Sequence, residues 1–315
     1  MTYSEIWHRI ATSYDDGEAR AIARILIEEL FGLSYTDIVC GATEQLSADD
    51  TLRLDTAVRR IEQGEPLQHV LGYADFFGNR FSVNSSVLIP RPETEWLVDE
   101  GAKLMDGCIA SDETQHKAPH SPKRILDIGT GSGCIAISLK LRLGDAYVEA
   151  WDISEEALRT AQDNADALKA EVVFRKRDAL VSSAPTGLAM DSINYSEANI
   201  LAAPWDLIVS NPPYICDSER STMDDNVLLH EPHTALFVPD DDPLRFYRAI
   251  ARYALLTLNT GGNLLFECNT RYAEATGTML SDMGFEEVTV SDDCFSLPRF
   301  VRGSSPSQPS PSGRA

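Results

Sequence analysis

Asn211-Pro212-Pro213-Tyr214 follows an apolar run, Asp206 to Ser210, that otherwise reads as a buried strand. The tetrapeptide offers a carboxamide, a carbonyl carried by residues with a fixed φ and no N–H, and an aromatic face. Such a set suits the holding of a planar NH2 group. An amide or aniline-like nitrogen is a poor nucleophile because its lone pair is delocalised, so orienting it matters more than a strong base. The Asn211 side-chain oxygen can take one N–H, a backbone carbonyl held outward by Pro212 and Pro213 the other, and Tyr214 can stack on the flat group. Positioning of this kind lowers a barrier by roughly 7–11 kcal/mol. A turn that merely stops a strand needs neither the asparagine before it nor the tyrosine after it.

Upstream, the strand RILDIG runs into GTGSG, which places Asp127, Gly129, Gly131 and Gly133 at alternate positions of a strand-to-helix junction. Glycines there let the backbone turn tightly and approach a ligand, and the following helix offers free N–H groups. Tight helix packing alone also explains a glycine-rich turn. Its surroundings sharpen the reading. The next strand ends at Asp152, about 20 residues beyond the glycines, where an acid suits the two hydroxyls of a ribose. Asp178 closes the strand after that and could accept from an adenine amine. In the dinucleotide fingerprint two residues precede the last glycine, whereas here Gly133 comes one residue early and Cys134 follows it. The D-x-G-x-G-x-G form is similar to the S-adenosylmethionine loop of Rossmann-like methyltransferases. Gly129, Thr130, Gly131, Ser132, Gly133, Asp152, Asp178 and Asn211 are therefore the expected cofactor contacts. Asn211, Pro212 and Tyr214 are the expected catalytic residues, and Asn211, Pro212, Pro213 and Tyr214 the expected substrate contacts.

These residues need a scaffold, and 315 residues suffice for one large and one small domain. Residues 1–70 show helical spacing throughout, as in EARAIARILIEELFG, and read as an all-helical domain. At 71–90 the period shortens around Gly78 and Asn79, which predicts a β-hairpin linker. Residues 91–302 alternate apolar strands with helices, the mark of an α/β, doubly wound parallel sheet. Within them, 110–122 reads as a surface loop and 181–204 as an inserted excursion, while the Ser/Pro-rich 303–315 reads as a disordered tail.

Composition excludes several classes. A formal net charge of −22 disfavours a nucleic-acid partner. Six scattered cysteines without a CxxC pair support neither a disulfide framework nor a metal site. MTYSEIWHRI lacks a basic region followed by an apolar one, and no apolar run reaches about 18 residues, so the expectation is a cytoplasmic, monomeric protein without membrane association.

Taken together, EPLQHVLGYADFFGNRFSVNSSVLIPRPETEWLV, ILDIGTGSGCIAISL, WDISEEAL, VSNPPYI, HEPHTAL and GGNLLFE resemble the HemK family of protein-(glutamine-N5) methyltransferases over about residues 60–302. The resemblance implies S-adenosyl-L-methionine as cofactor and, as substrate, the glutamine of the Gly-Gly-Gln motif in peptide chain release factors. It further implies that the helical domain docks the release factor, that Arg91 to Glu95 lie beside the cofactor entrance, and that Glu231 and Pro232 brace the pocket. Two alternatives share NPPY chemistry: a ribosomal-protein glutamine N5-methyltransferase, and a nucleic-acid amine methyltransferase, which the charge opposes. The chain departs from its relatives at Ala179, where many carry a bulky residue, in the long 181–204 segment, and in the loosely kept late Arg-Asp pair of SDDCFSLPRF.

Overall fold

The computed structural model describes residues 1–110, 122–182 and 204–306. The expected excursion at 181–204 lies outside this set except for its ends, and the loop at 110–122 likewise.

Five helices open the chain: α1 (Tyr3–Ile10), α2 (Asp16–Phe31), α3 (Tyr35–Val39), α4 (Ala48–Glu62) and α5 (Leu67–Leu71). Their starts are written in side-chain caps. Thr2 and Glu5 form a reciprocal capping box, Asp15 accepts from Gly17 and Glu18 N–H, and Ser47 accepts from Asp50 N–H. Gly32 ends α2 at φ 65°, a left-handed position that favours glycine. Ile6, Ile10, Ala23, Leu26, Ile27, Leu54, Val58 and Ile61 form the core of this bundle. Arg9 clamps α1 onto α4 through Glu62 (2.7 Å) and Asp55 (2.8 Å).

The strands β1 (Tyr73–Phe76) and β2 (Asn79–Ser82) pair antiparallel. Their turn is Phe77-Gly78, both at positive φ (48° and 74°), so it sits one residue earlier than the Gly78-Asn79 expectation, and Asn79 opens β2. The Phe77 N–H donates to Glu95 at 2.7 Å, which fixes this tip. Residues 83–91 are not part of the hairpin; they run on outside any strand.

The larger domain comprises α6 (Glu95–Ala110), β3 (Arg124–Ile128), α7 (Cys134–Leu143), β4 (Tyr147–Asp152), α8 (Glu155–Leu168), β5 (Val172–Lys176), α9 (Ala179–Ser182), β6 (Trp205–Ser210), β7 (Ile215–Cys216), α10 (Asp225–His230), α11 (His233–Leu236), β8 (Phe237–Val238), α12 (Arg245–Thr257), β9 (Leu258–Glu267), α13 (Ala273–Asp282), β10 (Glu286–Asp292) and β11 (Pro298–Ser304). A seven-stranded sheet runs in the order β10-β11-β9-β6-β3-β4-β5. β3, β4, β5, β6 and β9 are parallel, and β11 lies antiparallel between β9 and β10. The order reverses at β3, so a crevice opens beyond the carboxyl ends of β3, β4 and β6. Ile125, Leu126, Leu207, Val209, Leu264 and Leu265 are fully buried, as strands covered on both faces require. The start of the expected disordered tail is ordered: Gly303 and Ser304 complete β11 opposite Leu264 and Asn263, and Ser305 N–H donates to Gly262; residues 307–315 lie outside the described residues.

One side chain fastens the hairpin to this sheet. Asn164, buried in α8, accepts from Ser82 N–H (2.7 Å) and donates to the carbonyls of Ser82 (3.0 Å) and Ser132 (2.9 Å). This carboxamide thus joins the hairpin directly to the glycine loop. Replacing it by an isosteric hydrocarbon strands one donor and two acceptors at about 1–3 kcal/mol each, partly relieved by water. Asn164→Leu is expected to lower stability by about 2–4 kcal/mol in urea unfolding; a loss below about 0.5 kcal/mol would show that the clasp is not structural.

Candidate active site

A cavity of about 360 Å³ lies at the carboxyl edge of the sheet, walled by the β3–α7 loop, the ends of β4, β5 and β6, residues 86–91 and part of α12. Small-molecule sites typically span roughly 300–1,000 Å³. Gly129 to Ser132, Asp152, Asp178, Asn211, Pro212 and Pro213 all line it. Gly133 and Tyr214 stand just behind.

The glycine loop divides its labour. Gly129, Gly131 and Gly133 all have positive φ (78°, 55° and 82°). At Gly133 a Cβ would lie 2.9 Å from Ile137 Cδ1 and 3.1 Å from Ala161 Cβ, so that glycine serves helix packing. At Gly131 a Cβ would meet nothing within 4 Å, so its backbone faces open space. The Gly131 N–H donates to Asp152 Oδ2 (2.9 Å), and Ser154 N–H to Asp152 Oδ1 (2.9 Å). Burial pushes the Asp152 carboxyl above its ordinary range, against the pull of these backbone donors. A carboxylate can accept at about four sites, so capacity remains for hydroxyls. Asp178 accepts from Leu180 N–H (2.8 Å), and its carboxyl borders the cavity beside Ala179.

Asn211 extends from the end of β6, whose Ser210 hydroxyl donates to the Ile128 carbonyl at 2.6 Å and fixes the neighbouring strand ends. The Asn211 Nδ2 donates to Thr94 Oγ1 (3.3 Å), and Thr94 Oγ1 donates to Glu267 Oε2 (2.6 Å). The Tyr214 hydroxyl donates to Glu267 Oε1 (3.3 Å). Burial holds the Tyr214 hydroxyl far above its usual value, so it stays a neutral donor. The Pro212 carbonyl accepts no hydrogen bond among the described residues.

The wall opposite is latched by an acid. Glu231, 4% exposed, accepts from Arg91 (2.6 Å) and from Ile89 N–H (3.2 Å), tying residues 89–91 to the segment before α11. Pro232 borders the cavity next to it. Arg91 and Thr94 reach the cavity, whereas Glu95 turns to the hairpin tip.

Several contributors were not singled out from the sequence. Thr94 was one letter of RPETE, and only its contact with Glu267 marks it. Ile153, 55% exposed on the cavity wall directly after Asp152, carried a local signal: a large apolar residue left bare at a strand end. Phe246 and Ile250 reach the same wall from α12. The loosely kept Arg-Asp pair is formed: Arg299 donates to Asp293 Oδ2 at 2.7 Å, beside Tyr214 and Glu267.

Beneath the loop Asp127 is fully buried and accepts from the Thr130 hydroxyl (2.7 Å), while its Oδ1 has no side-chain partner among the described residues. Burial pushes the Asp127 carboxyl up to about 7.

Residues 8–72 match the family model described as the PrmC N-terminal domain, and residues 96–236 the methyltransferase small domain. The chain is 41% identical over 288 residues to a release factor glutamine methyltransferase of Bacteroides thetaiotaomicron, covering 91% of this chain and 93% of the relative. It is 34% identical over 297 residues to one from Flavobacterium psychrophilum (93% and 94% covered) and 36% identical over 282 residues to one from Chlorobaculum tepidum (90% and 89%).

Asp127 gives a pH signature. Its native value lies near 7 and its unfolded value near 3.9, so the native state binds more protons between them. The stability this group contributes is present below the unfolded value and lost as pH rises through about 7. The Tm of Asp127→Asn minus that of the parent should therefore climb between pH 5 and pH 8; a difference constant with pH would contradict the assignment.

Proposed function

The chain belongs to the release factor glutamine methyltransferase family, and from that premise we propose that it methylates the side-chain amide nitrogen of the glutamine in the Gly-Gly-Gln motif of a peptide chain release factor, with S-adenosyl-L-methionine as donor. The observation that carries this reading is the convergence of the glycine loop, Asp152 and Asn211-Pro212-Pro213 on one cavity.

The residues present fit that donor. Gly131 exposes backbone to open space, Asp152 keeps acceptor capacity for ribose hydroxyls, and Asp178 borders the cavity where an adenine amine would be met. Ile153 supplies an apolar face beside them. We assign Gly129, Thr130, Gly131, Ser132, Gly133, Asp152, Asp178 and Asn211 to donor binding. When bound, S-adenosyl-L-methionine would supply an electrophilic methyl group: a nitrogen–carbon bond forms, the sulfur–carbon bond breaks to leave S-adenosylhomocysteine, and one amide proton passes from the nitrogen to solvent.

The chain's own residues orient the nucleophile. Asn211 Oδ1 and the Pro212 carbonyl accept the two N–H groups of the substrate amide, which sets its plane and points its nitrogen into the crevice. Pro213 and Tyr214 complete the pocket for the glutamine, and the Arg91–Glu231 latch keeps the wall closed around it. The helical bundle of Tyr3–Leu71 serves as the docking surface for the release factor, and the reaction takes place in the cytoplasm, where translation factors work. The charge of −22 speaks against direct nucleic-acid binding.

Incubation with methyl-labelled donor should label a purified release factor and leave unlabelled the same factor with its motif glutamine replaced, a ribosomal protein and DNA. Asn211→Ala should cut kcat by at least about 100-fold with an unchanged Tm; turnover near the parent's would refute the role of Asn211. Asp152→Ala should weaken S-adenosylhomocysteine binding by about 10- to 100-fold in calorimetry, and unaltered affinity would remove Asp152 from the donor site.

A further inference from the structure

We propose that Glu267, acting through Thr94, fixes which end of the Asn211 carboxamide faces the pocket, and thereby makes the site select a planar NH2 group over an oxygen acceptor. The inference rests on the reading above and deepens it: Asn211 is the contact, and Glu267 and Thr94 are positioning residues.

A carboxamide is nearly symmetric in shape, so packing alone scarcely distinguishes its oxygen from its NH2 end. Hydrogen-bond polarity does. Glu267 closes β9 at the carboxyl edge of the sheet and is 1% exposed. Its two oxygens face two hydroxyls, Thr94 at 2.6 Å and Tyr214 at 3.3 Å. An ionised carboxylate only accepts, so both hydroxyl protons are committed to it. Thr94 Oγ1, having given its only proton, can only accept in turn. The group it faces is the Asn211 amide at 3.3 Å, which must therefore present Nδ2. The acceptor-only character of Glu267 thus passes through one hydroxyl and leaves Asn211 Oδ1 as the free end.

Three segments far apart in sequence meet in this relay. Thr94 precedes α6, Asn211 follows β6 and Glu267 ends β9. Burial raises the Glu267 carboxyl above its ordinary range; the hydroxyl donated by Thr94, the positive charge of nearby Arg299 and the hydroxyl of Tyr214 all oppose that rise and favour the ionised form. Asp293 holds that guanidinium in turn.

The second acceptor, the Pro212 carbonyl, belongs to the main chain and cannot turn over. Only Asn211 can be presented the wrong way round. With its NH2 inward, the pocket would set a donor against the substrate's own NH2. It would then suit glutamate, the deamidated form of the target residue, better than glutamine.

The Thr94→Ser and Thr94→Val pair tests the relay, because serine keeps the hydroxyl and valine keeps the shape. Thr94→Ser should stay within about threefold of the parent in kcat. Thr94→Val and Glu267→Gln, whose amide can donate as well as accept, should fall by about 30- to 100-fold. KM for the release factor should stay within about threefold in all three, since the docking surface is untouched. A second measurement needs no substrate: the Asn211 side-chain amide resonances, recorded by 15N NMR with S-adenosylhomocysteine bound, should persist in Thr94→Ser and shift or broaden in Thr94→Val. Equal kcat in the serine and valine variants, or unmoved Asn211 resonances in Thr94→Val, would overturn the proposal. Failure of the parent to methylate any release factor would instead remove the functional reading, and the resonances would still decide the relay.

Discussion

An amide nitrogen whose lone pair is shared with its carbonyl attacks only if something else holds it still, and two acceptors facing it are the minimum that fixes its plane. That demand places acceptors on the wall of a mostly apolar cavity, where an acceptor stays put only if the groups around it are themselves satisfied. Buried and half-buried carboxylates supply this order. Glu267 gathers Thr94 and Tyr214, Glu231 gathers Ile89 and Arg91, and Asp152 gathers Gly131 and Ser154. Each joins segments that the chain delivers separately. Removing a partner from such a group strands a charge or a donor out of water, which is why these junctions hold their geometry.

The doubly wound sheet brings these segments together. Parallel strands put β3, β4, β6 and β9 carboxyl ends on one edge, so the glycine loop, Asp152, Asn211 and Glu267 become neighbours although about 140 residues separate the first from the last. The antiparallel β11 then returns to the same edge and carries Arg299 to Glu267. From the other side Asn164 joins Ser82 of the hairpin to Ser132 of the glycine loop.

What could be read from the sequence was the part set by local covalent constraint. Alternating glycines, an acid at a strand end and a carboxamide before two prolines each declare themselves within a few residues, and all of them reach one cavity or its edge. Relations through space were silent. Nothing in RPETE distinguishes Thr94 from its neighbours until Glu267 is seen 2.6 Å away, and an asparagine in the middle of α8 gives no sign that it grips Ser82 and Ser132. Turn chemistry misled by one residue because Gly78-Asn79 is a common turn pair, whereas Glu95 stabilises the positive φ of Phe77 from 18 residues away. Residues 83–90, read as the second half of a hairpin linker, instead wall the cavity from 86 onward together with Arg91, whose partner Glu231 lies 140 residues away.

The central claim, that Asn211 and the Pro212 carbonyl together grip the target amide, is tested most directly by a crystal structure of the protein with S-adenosylhomocysteine and a release factor. The account predicts the glutamine amide nitrogen within hydrogen-bonding distance of both Asn211 Oδ1 and the Pro212 carbonyl oxygen, with the cofactor sulfur on the remaining side. A glutamine bound away from Asn211, or an Asn211 side chain turned from the sulfur, would contradict it.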